Sequence, residues 1–171
     1  MKITDKHVFF WNGIYSQWHK APMSVDNIEY NSCEQYMMHQ KALLFGDSEI
    51  AELIMNESNP KEQKKYGRMI KGFDKTTWDK NCLAIVYEGN LAKFSQNSDL
   101  KEQMISTENR IFVEASPFDT IWGIGLAEDA EGIDDPSYWQ GLNLLGQALT
   151  LVKTKLLADT KPNENDTRIS I

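Results

Sequence analysis

Glu34 and Lys41 stand seven residues apart in the stretch "SCEQYMMHQKALLF". At ~100° per residue, seven residues turn ~700°, so on a helix the two side chains share one face, within ~20° and two turns apart. A carboxylate and an amine among Tyr36, Met37 and Met38 are costly in apolar surroundings unless they pair or do chemistry. On one reading both face a single pocket, a carboxylate for acid–base work beside an amine able to act as a nucleophile. On the plainer reading the helix is solvated and Lys41 sits in water. His39 falls on a different face and is expected to be exposed. Cys33 is either a nucleophile at a helix start or simply buried there.

Three further stretches hold residue types that can meet a ligand. In "SPFDTIWGIGL", Asp119, Trp122, Gly123 and Gly125 follow Ser116-Pro117. Glycine admits a close ligand, and tryptophan stacks on a flat base; a lone G-x-G is equally a tight turn. In "GRMIKGFDKTTWD", Arg68, Lys71 and Lys75 offer phosphate contacts and Trp78 a stacking face. The alternative is a basic helix end complementing the macrodipole. In "WQGLNLLGQAL", Asn143 can cap the last helix while Gly141 lets an anion approach its N-terminus, and plain capping is the simpler account. No G-x-S-x-G elbow, H-E-x-x-H helix or Walker loop occurs. His7, His19 and His39 have no metal-ligand spacing, so they offer no metal site, and with no complete dinucleotide fingerprint no cofactor is expected.

These residues need elements to hold them. Val8, Phe9, Phe10 and Trp11 suit a short strand, as do residues 28–30, with Asp26-Asn27 as a turn. Ser32 with Gln35 is a capping-box pattern opening a helix that stops at Gly46. Asp47-Ser48 and Asn59-Pro60 open two more. Thr76-Thr77 are expected to cap a long helix from Trp78, and Asp99 starts another. Residues 112–115 read as a strand, residues 116–141 as a shaped loop, and residues 143–157 as a final helix. From residue 158 the chain is polar and expected to fray. The fold class is therefore α+β: a single helix-rich domain over residues 1–157 with a small irregular β-sheet, then a polar tail, 158–171.

Composition agrees with one domain. The chain has 171 residues, with 41% hydrophobic and 25% charged, ordinary globular values. No apolar run reaches ~18 residues, so no membrane span is expected. Two cysteines and the lack of a secretory pattern suit a reducing cytoplasm. A net charge of −7 argues against gripping a phosphate backbone and leaves room for one local basic pocket.

In order, "IEYNSCEQYMMHQKALLFGD", "KKYGRMIKGFDKTTWD", "GNLAKFSQN", "VEASPFDTIWGIGL" and "WQGLNLLGQAL" closely resemble the NADAR superfamily, the YbiA-like proteins, over about residues 8–157. The resemblance implies a metal-free, mostly helical α+β domain that hydrolyses a ribosyl–nitrogen bond. The substrate it implies is either ADP-ribosylated guanine of nucleic acid or nucleotides, or a phosphorylated intermediate of riboflavin synthesis. By motif, it implies catalytic roles for Glu34, Lys41 and Asp119. Lys41 is implied as a Schiff-base former on an opened ribose. Substrate contacts are implied for Arg68, Trp78, Trp122, Gly123, Asn143 and Gly146. Ser16-Gln17-Trp18 departs from the family's S-N-F-type segment. The competing reading is a non-catalytic ADP-ribose or nucleotide-binding module using the same pocket.

Overall fold

A computed structural model describes residues 1–160, and the outer part of the expected tail lies outside the described residues. Strand β1 (Lys2–Ile3) runs antiparallel to β2 (His7–Phe10), and β2 runs parallel to β5 (Ile111–Glu114), with Val8 opposite Phe112 and Phe10 opposite Glu114. All four β2 residues are buried, as expected for a strand covered on both faces. A separate hairpin joins β3 (Met23–Val25) to β4 (Ile28–Tyr30). Its turn is the expected Asp26-Asn27 pair, with φ of 51° and 64°. Positive φ at both central residues matches the twist of a two-residue hairpin.

The crossover from β2 to β5 carries that hairpin and five helices: α1 (Cys33–Leu44), α2 (Ser48–Asn56), α3 (Pro60–Gly67), α4 (Lys75–Gln96) and α5 (Ser98–Ile105). α6 (Leu144–Thr160) follows β5 after a long loop and runs three residues beyond the expected end. The core is formed where Val8, Phe10 and Phe112 of the sheet meet Met37, Val86, Phe94, Leu145, Leu149 and Val152 of α1, α4 and α6.

The helix starts follow capping chemistry. Ser32 accepts from the Gln35 backbone N at 3.2 Å. The Gln35 side chain does not close a reciprocal box on Ser32. Its Oε1 accepts from Asn31 N at 2.8 Å, and its Nε2 donates to Ile54 O at 3.2 Å, tying α1 to the end of α2. Asp47 caps α2 through Ile50 N and also accepts from Lys71 N at 2.9 Å, joining α2 to the chain after α3. α4 starts earlier than Thr76-Thr77 suggest: Asp74 is its cap and accepts from Thr77 N at 2.8 Å and from the Thr77 hydroxyl at 2.6 Å.

Asn143 does not cap α6 with its side chain. Its Oδ1 accepts from Glu114 N at 3.0 Å, and its Nδ2 donates to Phe112 O at 3.0 Å. The residue sits at φ 53° and bridges the end of β5 to the start of α6. Gly146 lies beneath that bridge. A Cβ there would stand 2.1 Å from Phe112 O and 2.3 Å from Asn143 Oδ1. Gly146→Ala is therefore expected to cost at least ~1–3 kcal/mol, read as a lower urea midpoint at unchanged slope.

Candidate active site

One cavity of about 800 Å³ opens between α1, the end of α3, the start of α4 and the loop after β5. Glu34, Lys41, Arg68, Trp78, Asp119 and Trp122 all line it, with Met37, Met38, Trp11, Gln17, Trp18, Lys64, Glu114 and Phe118. The spacing of Glu34 and Lys41 thus does place both on one cavity wall. The rest of α1 departs from the two-face picture because α1 is buried through most of its first two turns. Tyr36 turns away and packs edge-on against Tyr30, ring centroids 5.1 Å apart. His39 is buried, not exposed, and its Nδ1 pairs with the Tyr30 hydroxyl at 2.8 Å. Cys33 is buried and its thiol is pushed up to about 11, mainly by burial, which keeps it protonated and rules it out as a ready nucleophile.

Glu34 occupies the first turn of α1, its backbone N bonded to Gln17 O at 3.0 Å. The carboxyl is 3% exposed. Its Oε1 has no hydrogen-bond partner among the described residues. Burial raises its pKa from the usual 4.5 to about 7, against the charges of Lys64, Lys41 and Arg68 and the neighbouring Trp18 indole N–H. A carboxyl poised near neutrality can both give and take a proton.

Two turns along, the Lys41 amine donates to Gly67 O at 3.0 Å and stands 4.7 Å from the Phe73 ring centre and 5.4 Å from that of Trp78. A Cβ at Gly67 would come 2.0 Å from Met38 Sδ, so any larger residue there would have to push the Met38 side chain aside in the cavity wall. Burial lowers the Lys41 pKa, Glu34 pulls it back up, and Arg68 lowers it further. A lowered value enlarges the unprotonated, nucleophilic fraction.

The sequence reading missed Glu114. It ends β5, lines the cavity and leaves Oε2 buried without a partner among the described residues. Burial first, then the charge of Asp119, pushes it up to about 8. The available signal was an acid closing the apolar run "IFVEA". Asp119 is partly committed to its own loop: Oδ1 accepts from Ile121 N at 2.9 Å and Trp122 N at 2.8 Å, a turn that sets Trp122 against the cavity.

Not every expected contact reaches the cavity. Gly123, Asn143 and Gly146 do not line it. A Cβ on Gly123 would meet Glu114 O at 2.9 Å and Asp119 O at 3.0 Å, so all three shape the backbone that carries Glu114 and Asp119. Gly141 is packed inside the same loop, 2.3 Å from Gly123 O at the Cβ position, and gives no ligand access. Of the basic stretch, Arg68 reaches the cavity, while Lys71 pairs with Glu49 and Lys75 with Asp79. Lys64 takes their place on the rim.

The two carboxyls bind protons more tightly in the folded chain than in the unfolded one. The stability they contribute is full below the unfolded value of about 4.5. It is lost as pH rises through about 7 for Glu34 and about 8 for Glu114. Lys153, pushed down to about 8 by burial, changes its contribution only above that pH. The melting temperature is expected to fall by several degrees from about pH 5 to pH 8, and Glu114→Gln to flatten much of the fall. His19 and His39, held below the usual 6.5 chiefly by burial, gain stability over the same rise in pH, so the variants decide: a pH dependence that Glu34→Gln and Glu114→Gln both leave unchanged would show that neither carboxyl is held protonated.

Two buried carboxyls, an amine among aromatic rings and a cationic rim make a pocket able to do acid–base and imine chemistry on a flat, phosphorylated ligand. The scaffold is a helix-rich α+β domain. The NADAR domain model matches residues 9–157, and the chain belongs to the NADAR domain family. N-glycosidase R617 of Acanthamoeba polyphaga mimivirus is 44% identical over 164 residues, covering 88% of this chain and 96% of that protein. N-glycosidase YbiA of Escherichia coli (strain K12) is 25% identical over 144 residues, covering 84% and 81%. The chloroplastic riboflavin biosynthesis protein PYRR of Zea mays is 32% identical over 113 residues, covering 64% of this chain and 16% of that one. The NMR structure of the E. coli protein YbiA superposes with a TM-score of 0.77 at 22% identity, over 98% of this chain and 94% of that one. Among the described residues, no helix is long and apolar enough to cross a membrane, and no group of three or more His, Cys, Asp or Glu could hold a metal ion.

Proposed function

We propose that this NADAR-family N-glycosidase breaks the bond between ribose C1′ and a base nitrogen, with Glu34, Lys41, Glu114 and Asp119 as its working groups. The substrate is a small phosphorylated ribosyl or ADP-ribosyl compound: ADP-ribosylated guanine, free or on nucleic acid, or a phosphorylated riboflavin-pathway intermediate. One domain, residues 1–157, does this work in the cytoplasm without metal or cofactor. The observation that carries the reading is the pairing, on one wall of one cavity, of an unpartnered carboxyl oxygen on Glu34 with the Lys41 amine.

The steps follow from the groups. Unprotonated Lys41 Nζ bonds to C1′ as the C1′–N bond breaks, and the departing base takes a proton from a protonated carboxyl, Glu114 or Glu34. The ribosyl–lysine then opens its ring to an imine. Water, deprotonated by the carboxylate just formed, adds at C1′ and releases the sugar and the free amine. Positive charge gathering at C1′ is met by the nearby carboxylate. Lys64 and Arg68 suit the phosphate, Asp119 Oδ2 the ribose hydroxyls, and Trp78 and Trp122 the base faces.

A binder of ADP-ribose would use the same tryptophans and cations. It would have no use for two buried carboxyls with unpartnered oxygens, which cost folding free energy. Incubation with ADP-ribosylated guanine DNA, phosphorylated riboflavin intermediates and NAD, with mass analysis of products, tests the reading. Free base and free sugar phosphate from one of them are expected. Bound but intact ligand throughout would favour the binding module.

A further inference from the structure

Gln17 lines the cavity, and the two ends of its side-chain amide differ. Its backbone is pinned from three sides. Its carbonyl accepts from Glu34 N at 3.0 Å, and the fully buried Lys93 amine donates to the carbonyls of Ile14, at 2.6 Å, and Ser16, at 3.1 Å, just before it. Its side chain is pinned at Oε1, which accepts from Asn90 Nδ2 at 2.8 Å. Its Nε2 is buried and has no partner among the described residues.

The direction of this amide is not free. Asn90 also donates from Nδ2 to Val86 O at 2.9 Å, and its Oδ1 accepts from the Cys33 thiol at 3.5 Å. Turning Asn90 over would set its oxygen against the Val86 carbonyl, two acceptors facing each other. A helix carbonyl of α4 therefore fixes Asn90, and Asn90 holds Gln17 by Oε1, which leaves Nε2 as the end with no partner among the described residues of this cavity-lining side chain. Cys33 stays a donor because burial keeps its thiol protonated.

We propose that Gln17 is a specificity-determining residue whose amide, locked by Asn90 as a hydrogen-bond donor only, selects a leaving base bearing an acceptor atom, a ring carbonyl, over one bearing an amine there. A ribose hydroxyl both donates and accepts, so either orientation of an amide would serve it and no lock would be needed. A carbonyl oxygen only accepts, and an exocyclic amine only donates, so a locked donor separates them. The same N–H also meets the negative charge that grows on the base as the C1′–N bond breaks. This inference rests on the ribosyl–base reading above.

The probes are two pairs of nucleoside 5′-monophosphates in which a carbonyl beside a ring N–H stands against an amine beside an acceptor ring nitrogen: inosine against adenosine, and uridine against cytidine. Binding is read from quenching of the cavity tryptophans in the full chain. The carbonyl member of at least one pair is expected to bind ~10-fold or more tighter, since the amine member faces donor with donor and leaves Nε2 unmet. Gln17→Met keeps the length but has no donor, and should shrink that preference to within about threefold. Asn90→Leu leaves Gln17 in place but frees its amide to turn, and should narrow the preference too, an effect that loss of packing alone would not produce. Equal binding of both members by the unmodified chain, or a preference untouched by Gln17→Met, overturns the assignment of Gln17 and leaves the glycosidase reading intact. No binding of any of the four nucleotides counts against both.

Discussion

Glu34→Gln should still bind substrate yet turn it over ~10²–10⁴-fold more slowly, the usual cost of losing a general acid–base group. The substitution keeps shape and removes a proton site held at about 7 by burial. The unmodified enzyme is accordingly expected to show a limb near that pH in kcat, and the variant to lose it. The amide also gives the unpartnered Oε1 position a neutral occupant, so the fold should hold or gain slightly. A variant that keeps its rate within about threefold, with the limb unchanged, would make Glu34 a merely buried acid and move the acid–base work to Glu114.

Lys41→Ala is expected to lose turnover by at least ~10³-fold, the order that follows removal of a nucleophile. Alanine is a strong helix former, and the lost bond to Gly67 O is one contact at the cavity edge, so folding should survive. Lys41→Arg discriminates between roles. It keeps the charge that Glu34 and a phosphate would feel but holds its proton too tightly to attack carbon. Both variants should be inactive. An active Arg variant beside an inactive Ala variant would reduce Lys41 to an electrostatic contact and leave water, directed by Glu34, as the attacking group.

Local chemistry made much of this molecule legible in advance. Ser32, Asp47 and Asn59 announced three helices because a cap is a contact within three residues. The Asp26-Asn27 hairpin was legible for the same reason. Asp74 was passed over because Thr76 and Thr77 have the same capping ability two and three residues later, and only the folded chain shows that Thr77 donates to Asp74 instead. His39 was misplaced because facing arguments assume one wet side, and α1 has almost none through residue 39.

The cavity residues divide in the same way. Glu34 and Lys41 share a wall by helix geometry, and Trp122 follows from the Asp119 turn three residues before it. Asn143 depends on Phe112 and Glu114, about thirty residues away in sequence, and no local pattern reveals that its amide is spent on a strand. The family motif implied substrate contacts at Gly123, Asn143 and Gly146, but none of them lines the cavity, and what constrains them is backbone packing. Glu114 and Gln17 acquire their meaning only from burial. An acid at a strand end and a glutamine in a loop are ordinary until the cavity closes over them.

The most direct measurement is reductive trapping. Borohydride added during turnover should convert the imine to a stable amine, leaving enzyme heavier by one reduced sugar unit, with the modified peptide mapped to Lys41. Glu34→Gln should give less adduct in the same time, and Lys41→Ala none. Sustained release of base and sugar phosphate with no adduct on any lysine would contradict the covalent route through Lys41, and an adduct mapped to a lysine outside the cavity would contradict the placement of the site itself.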